Sequence, residues 1–171
     1  PQNRERIYIV AFNNSIDSSK FQFPVPSNQS VCLEHILEHN PSDAKVINRD
    51  DIEIYKDYDC PTNLFEEMQL LNKPIQIGIV NKGGQGERIY HPLGHAITLS
   101  AYGGGVGAKT GLYLINKQIR KLSPRECARV QGFPDSFIIH SSQTQAYKQF
   151  GNSVSINVLQ NILMQISKVL L

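Results

Sequence analysis

RKLSPRECARVQGFPDSF, residues 120–137, carries the clearest local instructions in this 171-residue chain. Ser123 stands where an N-cap hydroxyl would accept from the first turn, and Pro124 suits the first helical position. Glu126, three residues after the cap, completes a capping box, and Gly132 is placed to end the helix. All four cues agree on a short helix. The sequence before it has a different texture. From Ile75 onward the short β-like runs IQIGIV, RIY, AITLSAY, GLYLIN and QIRKL alternate with glycine clusters, and most of the twelve glycines fall between Gly78 and Gly111. That pattern predicts a small, irregular, β-rich domain with long loops, and such loops commonly carry function.

Outward from this region the two ends look incomplete. The opening residues PQNRERIYIVAF contain an apolar, β-branched run from Arg6 to Phe12 that reads as a strand with nothing before it to pair with. Gln2, Arg4 and Arg6 alternate, so an extended chain projects them from one face and gathers two guanidinium groups there. SIDSSKFQFPVPSNQS, residues 15–30, reads as a linker. Val31–His39 is a short helix candidate with Leu33, Ile36 and Leu37 on one face. Thr62–Leu71 is another, with Leu64, Phe65, Met68 and Leu71 behind a Thr62 cap. The final SVSINVLQNILMQISKVLL carries an apolar stripe of Val158, Leu159, Ile162, Leu163, Ile166, Val169 and Leu170, which needs something to pack on. A bare strand and an apolar helix both look like parts of a larger core, and the initial Pro in place of Met points to a piece of a longer polypeptide.

Composition narrows the class. Hydrophobic residues make up 40% of the chain, with no apolar run near the roughly eighteen residues that span a bilayer and no leader pattern. A soluble, cytoplasmic protein without a membrane partner is expected. Cys32, Cys60 and Cys127 are odd in number and widely spaced, which argues for reduced thiols. The net charge of +2 hides a segregation: residues 1–72 hold 6 Lys/Arg against 12 Asp/Glu, whereas residues 82–129 hold 8 Lys/Arg against Glu87 and Glu126. A local cationic excess suits a polyanion or a merely solvated face.

Four motifs could carry chemistry. GGGVGAKT, residues 103–110, nearly spells a phosphate loop, but Ala108 replaces the required glycine and a strand-like run follows where a helix should. Cys32, His35 and His39 have ligand-like spacing without a fourth partner for a structural zinc, so no metal is expected. Cys127, near a helix start, is a nucleophile candidate or a core thiol. KGGQGERIY, residues 82–90, puts Gln85 at the tip of a flexible loop with Arg88 three residues on, and Gln and Arg are the side chains that offer bidentate bonds to base edges. Read alone it is a plain hairpin loop with incidental polar residues.

Together, PQNRERIYIVAF, RKLSPRECARVQGFPDSF and YKQFGNSVSINVL resemble, in the right order, the eighth, ninth and tenth conserved motifs of the DNA cytosine-5 methyltransferases. KGGQGERIY and AITLSAYGGG resemble the target-recognition region of members that modify the inner cytosine of GCGC. The resemblance extends over nearly the whole chain and is weakest in residues 14–73. It implies an α/β parent enzyme whose large, doubly wound domain binds S-adenosylmethionine. This chain would hold a strand of that domain (residues 1–13), the small β-rich target-recognition domain with motif nine (14–140), and motif ten with a C-terminal helix returning to the large domain (141–171).

The resemblance also implies roles. Family members add a cysteine thiolate to carbon 6 of cytosine so that carbon 5 can accept the methyl group. That cysteine lies in a Pro-Cys-Gln motif, and no Pro-Cys dipeptide occurs here. The chain by itself is therefore expected to be inactive and to need an N-terminal half or subunit carrying the nucleophile and most of the cofactor site. Gln85 matches the residue that fills the space left by the flipped base. Arg6 matches the arginine that bonds the flipped cytosine's carbonyl oxygen, and Arg4 belongs to the same catalytic motif as a backbone contact or support. Arg88, Tyr102 and Gly105 map to residues that read double-stranded DNA, Thr98 to a phosphate contact, and Asn152 and Ser153 to the cofactor pocket. Arg120 and Arg125 are expected to hold the recognition region together. The leading reading is the C-terminal portion of a bacterial restriction-modification methyltransferase, and the alternative is a free-standing, sequence-specific DNA-binding module.

Overall fold

The computed structural model describes residues 2, 4–26, 31–56 and 73–171. The expected helix at Thr62–Leu71, together with Cys60, lies outside the described residues. Five short strands form one mixed sheet in chain order: β1 (Ile52–Ile54), β2 (Ile75–Val80), β3 (Arg88–His91), β4 (Leu112–Ile115) and β5 (Gln118–Arg120). Three helices follow, α1 (Pro124–Val130), α2 (Gln143–Asn152) and α3 (Ile156–Leu170). The result is a small mixed β domain closed by C-terminal helices, as the texture of the sequence indicated.

The turns follow local chemistry. β4 and β5 pair antiparallel through Ile115 and Gln118, across Asn116 and Lys117, both at positive φ (50° and 63°). That is the backbone a two-residue hairpin needs to match strand twist. β3 and β4, in contrast, run parallel, with Ile89 opposite Leu112 and Tyr90 opposite Tyr113. Parallel neighbours require a long crossover. In most α/β proteins a helix supplies it; here the segment 92–111 supplies it without one. The predicted strand in AITLSAY is absent for this reason: the run is spent on the crossover, with only an isolated bridge from Ala96 to Gln2.

Two apolar layers cover the sheet. Leu33, Tyr90, Leu99, Tyr113, Leu122, Cys127 and Phe150 pack on the face beneath α1 and α2. Ile47, Ile75, Ile77, Val80, Ile89, Leu112 and Ile119 form the opposite layer. Cys32 and Cys127 are core thiols, and burial pushes the Cys127 thiol far above its ordinary range. A nucleophilic thiolate there is ruled out. The helix expected over Val31–His39 is reduced to a single 3-10 turn, Leu33–Ile36. Helix α2 was not anticipated, since its sequence QTQAYKQFGN is mostly polar and turns only Ala146, Phe150 and Gly151 fully inward.

The capping box at α1 is present on both sides, with Ser123 Oγ accepting from Glu126 N and Ser123 N donating to Glu126. Glu126 does more than cap. Its fully buried carboxylate also receives both terminal nitrogens of Arg120, at 2.7 and 2.8 Å, and the amide of Glu38 at 2.9 Å. The Ser123 hydroxyl in turn donates to Glu38. One carboxylate thus joins β5, α1 and the segment after the 3-10 turn.

The two ends behave differently from the core. Residues 6–12 have no ladder partner among the described residues, and Ile7 and Ile9 are 90% and 88% exposed. On α3 only Ile162 is buried, while Val158, Leu163 and Leu170 stay exposed. No helix among the described residues is long and apolar enough to cross a membrane.

Truncating Glu126 to Leu leaves the Arg120 guanidinium buried and unpaired. We expect a loss of about 3–5 kcal/mol in urea denaturation; a loss under about 1 kcal/mol would contradict the role given to this carboxylate. Tyr113→Phe removes a hydroxyl that donates to Thr110 O at 3.0 Å and accepts from Ile97 N at 3.1 Å. It should cost about 1–3 kcal/mol by the same measurement.

Candidate nucleic-acid interface

Two loops meet at the end of the sheet that carries the β2–β3 turn and the crossover. The β2–β3 turn is organised by Glu87, whose carboxylate accepts from Asn81 Nδ2 at 2.7 Å and from Gly84 N at 3.0 Å. These bonds, the Asn81 one first, hold the Glu87 carboxyl below its ordinary range. Val80 N donates to Glu87 O at 2.7 Å and closes the base of the turn. Gln85 is left at the exposed tip.

The second loop, residues 102–110, folds back on itself through Ser100 N to Lys109 O and Gly111 N to Gly107 O. From below, Lys121 Nζ donates to Ala108 O at 3.1 Å. Half-burial, then Lys45 and Lys109, lower the Lys121 pKa. The loop runs directly into β4 rather than into a helix, so the glycines of GGGVGAKT do not form a phosphate loop.

The two loops touch backbone to backbone. Gly107 N donates to Gly86 O at 2.7 Å, and a Cβ placed on Gly86 would lie 1.9 Å from the carbonyl oxygen of Gly104. Only glycine permits this approach.

Around the junction lie two shallow depressions that share Gln85, Ile97 and Thr98. One continues through Tyr102 and the glycines of the second loop to Lys109, and the other holds Arg88, Tyr90 and Pro74. Of the five residues expected to read DNA, Gln85 and Thr98 line both depressions, Tyr102 the first and Arg88 the second. The fifth, Gly105, is exposed on the second loop at φ +84°. Local patterns do not point to Glu87 and Lys121 as loop braces, nor to Lys148, whose ammonium sits 5.4 Å over the Tyr102 ring. Lys121 and Lys148 act on partners distant in sequence, whereas Glu87 acts within its own turn.

The N-terminal arginines are not gathered in one place as expected from alternation. Arg6 is exposed and donates to its neighbour's carbonyl, Glu5 O, at 2.7 Å. Arg4 turns inward to three backbone carbonyls. Asn152 is the exposed last residue of α2, and Ser153, half-buried, caps that helix. Among the described residues no cluster of three or more His, Cys, Asp or Glu could hold a metal.

A model of the C-5 cytosine-specific DNA methylases matches residues 1–168. The chain belongs to that family. Among its curated relatives is the type II methyltransferase M.HhaI of Haemophilus parahaemolyticus, 52% identical over 167 residues, 97% of this chain and 49% of that protein. M1.ScrFI of Lactococcus lactis subsp. cremoris is 36% identical over 99% of this chain and 40% of its own length. M.HpaII of Haemophilus parainfluenzae is 36% identical over 94% and 45%. The methylase-family chain thus spans about half the length of the curated relatives it matches. A solved structure of an Entamoeba histolytica methyltransferase, EhMeth, superposes with TM-score 0.51 at 18% identity, covering 89% of this chain and 45% of that one. It supports the fold.

Gly86→Ala should separate the two loops of this methylase-family chain while sparing the sheet. The Gly107 amide, freed from Gly86 O, is expected to exchange about three- to tenfold faster in hydrogen-exchange measurements, with Leu114 and Ile119 in the β4–β5 hairpin unchanged.

Proposed function

We propose that this chain is the target-recognition and C-terminal portion of a DNA cytosine-5 methyltransferase acting within a GCGC core. The observation that carries the reading is the glycine-to-glycine junction, beside which two adjoining depressions are lined by Gln85, Arg88, Thr98 and Tyr102. Family membership supports a DNA partner for this surface, and Arg88 and Lys109 in its lining suit phosphates.

Each residue then has a task. Gln85, on a loop tip with no side-chain neighbours at Gly84 and Gly86, enters the stack where the target base leaves it, offsetting an unstacking cost of a few kcal/mol. Arg88, a planar two-pronged donor at the start of β3, reads a guanine edge. Thr98 holds a phosphate near the target, and Tyr102 and the backbone at Gly105 complete base reading. Arg6, exposed and charged, bonds the carbonyl oxygen of the extrahelical cytosine. There a cation favours the electron-rich adduct. The attacking thiolate belongs to a Pro-Cys-Gln segment outside this sequence, so the chain alone is inactive.

S-adenosylmethionine, when bound, supplies the methyl group. Asn152 and Ser153 would form one wall of its pocket, an exposed amide beside a half-buried hydroxyl that donates to Val154 O. The remaining wall, and the sheet that would pair with residues 6–12 and cover Val158, Leu163 and Leu170, come from the N-terminal half or subunit.

The test is reconstitution. Combined with a polypeptide carrying the Pro-Cys-Gln half, this chain should transfer methyl groups to GCGC duplex, and neither part should do so alone. No incorporation under saturating cofactor, or incorporation by the 171-residue chain unaided, would refute the reading. In the reconstituted enzyme Arg88→Ala should lose about 1–3 kcal/mol of discrimination against a substituted guanine, read as the ratio of kcat/KM on the two duplexes. A stand-alone binding module would instead give a monomer that shifts GCGC duplex by itself with steep salt dependence.

A further inference from the structure

Arg4 and Arg6 share a motif, yet their surroundings differ. Arg4 Nη1 donates to Leu99 O at 3.0 Å, and Nη2 donates to Ser153 O at 2.8 Å and Gly151 O at 3.2 Å. Leu99 directly follows Thr98. Gly151 and Ser153 flank Asn152. One guanidinium therefore bridges the backbone beside the DNA-facing threonine and the backbone on both sides of the cofactor-facing asparagine.

The two segments are in close contact at this point. A Cβ on Gly151 would lie 2.2 Å from the amide nitrogen of Ala101, so α2 ends backbone against backbone on the crossover. A second bridge runs alongside. Gln2 Nε2 donates to Gln131 Oε1 at 2.8 Å, and Gln131 Nε2, in a fully buried side chain, donates to Phe150 O at 2.8 Å. The last carbonyls of a helix lack intrahelical partners and carry partial negative charge. A planar fork with several donors can serve two carbonyls at the end of α2 and one on the crossover at fixed angles, which a lysine ammonium cannot. Burial, and then the nearby Arg6, hold the Arg4 guanidinium below the usual arginine range.

We propose that Arg4 is a positioning residue that fixes the spacing between the Thr98 segment and the Asn152–Ser153 loop, so that DNA seating and cofactor seating depend on one side chain. Gln2 and Gln131 brace the same junction. This rests on the proposed function, and it gives Arg4 no contact with the reacting base. Coupling of this kind is reciprocal: whatever order is imposed on one segment is felt by the other.

Arg4→Met and Arg4→Lys test it with two readouts. In the 171-residue chain the amides of Ser100, bonded to Lys109 O, and Ser153, bonded to Phe150 O, report on the two segments, and Cys127 N, bonded to Ser123 O within α1, is the reference. In Arg4→Met we expect Ser100 and Ser153 to exchange at least about tenfold faster together, with Cys127 unchanged. Unaltered exchange at both, or equal acceleration at Cys127, overturns the proposal. In the reconstituted enzyme the KM for S-adenosylmethionine and the KM for DNA should rise together by roughly five- to twentyfold with kcat within about threefold, and Arg4→Lys should recover part of the loss. A kcat drop of about a hundredfold at unchanged KM would mean a direct contact with reacting atoms and would also overturn it. If the wild-type reconstituted enzyme transfers no methyl group, the proposed function falls, and the exchange experiment still decides whether Arg4 holds the two segments.

Discussion

The buried carboxylate of Glu126 is the constraint on which the rest of the fold depends. It sits in the first turn of α1, where the exposed backbone amides favour negative charge, and it meets Arg120 at the end of β5. Sheet, helix and the segment entering from Leu33 are thereby fixed to one point. A buried charge pair is a weak source of net stability, because desolvation offsets most of the Coulomb gain. Its effect is to exclude other arrangements. A slip of β5 by one residue, or a rotation of α1, would strand two charges in the core.

With that corner fixed, the parallel pairing of β3 and β4 dictates where the site must be. A parallel pair needs a long crossover, and a crossover without a helix must satisfy its backbone polar groups some other way. Several devices do so: the Tyr113 hydroxyl bonding Ile97 N and Thr110 O, Lys121 bonding Ala108 O, and the Gly107 to Gly86 bond between loops. The braces are short and come from the rigid sheet or the opposite loop. The exposed side chains of Gln85, Thr98 and Tyr102 therefore project from loops whose backbones are held in place. Under the proposed function, such a frame needs no ordering by the DNA it reads.

The exposed apolar segments are equally informative. An apolar strand-like segment with Ile7 and Ile9 in water and a fifteen-residue helix with only Ile162 fully buried are costly features in a self-sufficient domain. They sit on either side of the Arg4 junction, since Arg4 belongs to the first and Ser153 leads into the second. In the proposed function, these are the surfaces that the N-terminal half covers. The chain's match to about half of its relatives' length is consistent with this.

The sequence by itself determined whatever depends on near neighbours. The capping box of α1, the β-like runs that become β2 to β5 and the apolar stripe of α3 were legible because capping chemistry, β-branched runs and helical period are local patterns. The family motifs likewise named Gln85, Arg88, Thr98 and Tyr102. Tertiary structure alone decided that AITLSAY would be a crossover rather than a strand, that mostly polar QTQAYKQFGN would become α2, and that Arg4 and Arg6, alternate residues in one motif, would part ways. The physical reason is the same in each case: the partners that settled these outcomes, β3 with β4, Phe133 with Phe150, and Arg4 with Leu99 and Ser153, are distant in sequence, and no local periodicity records them.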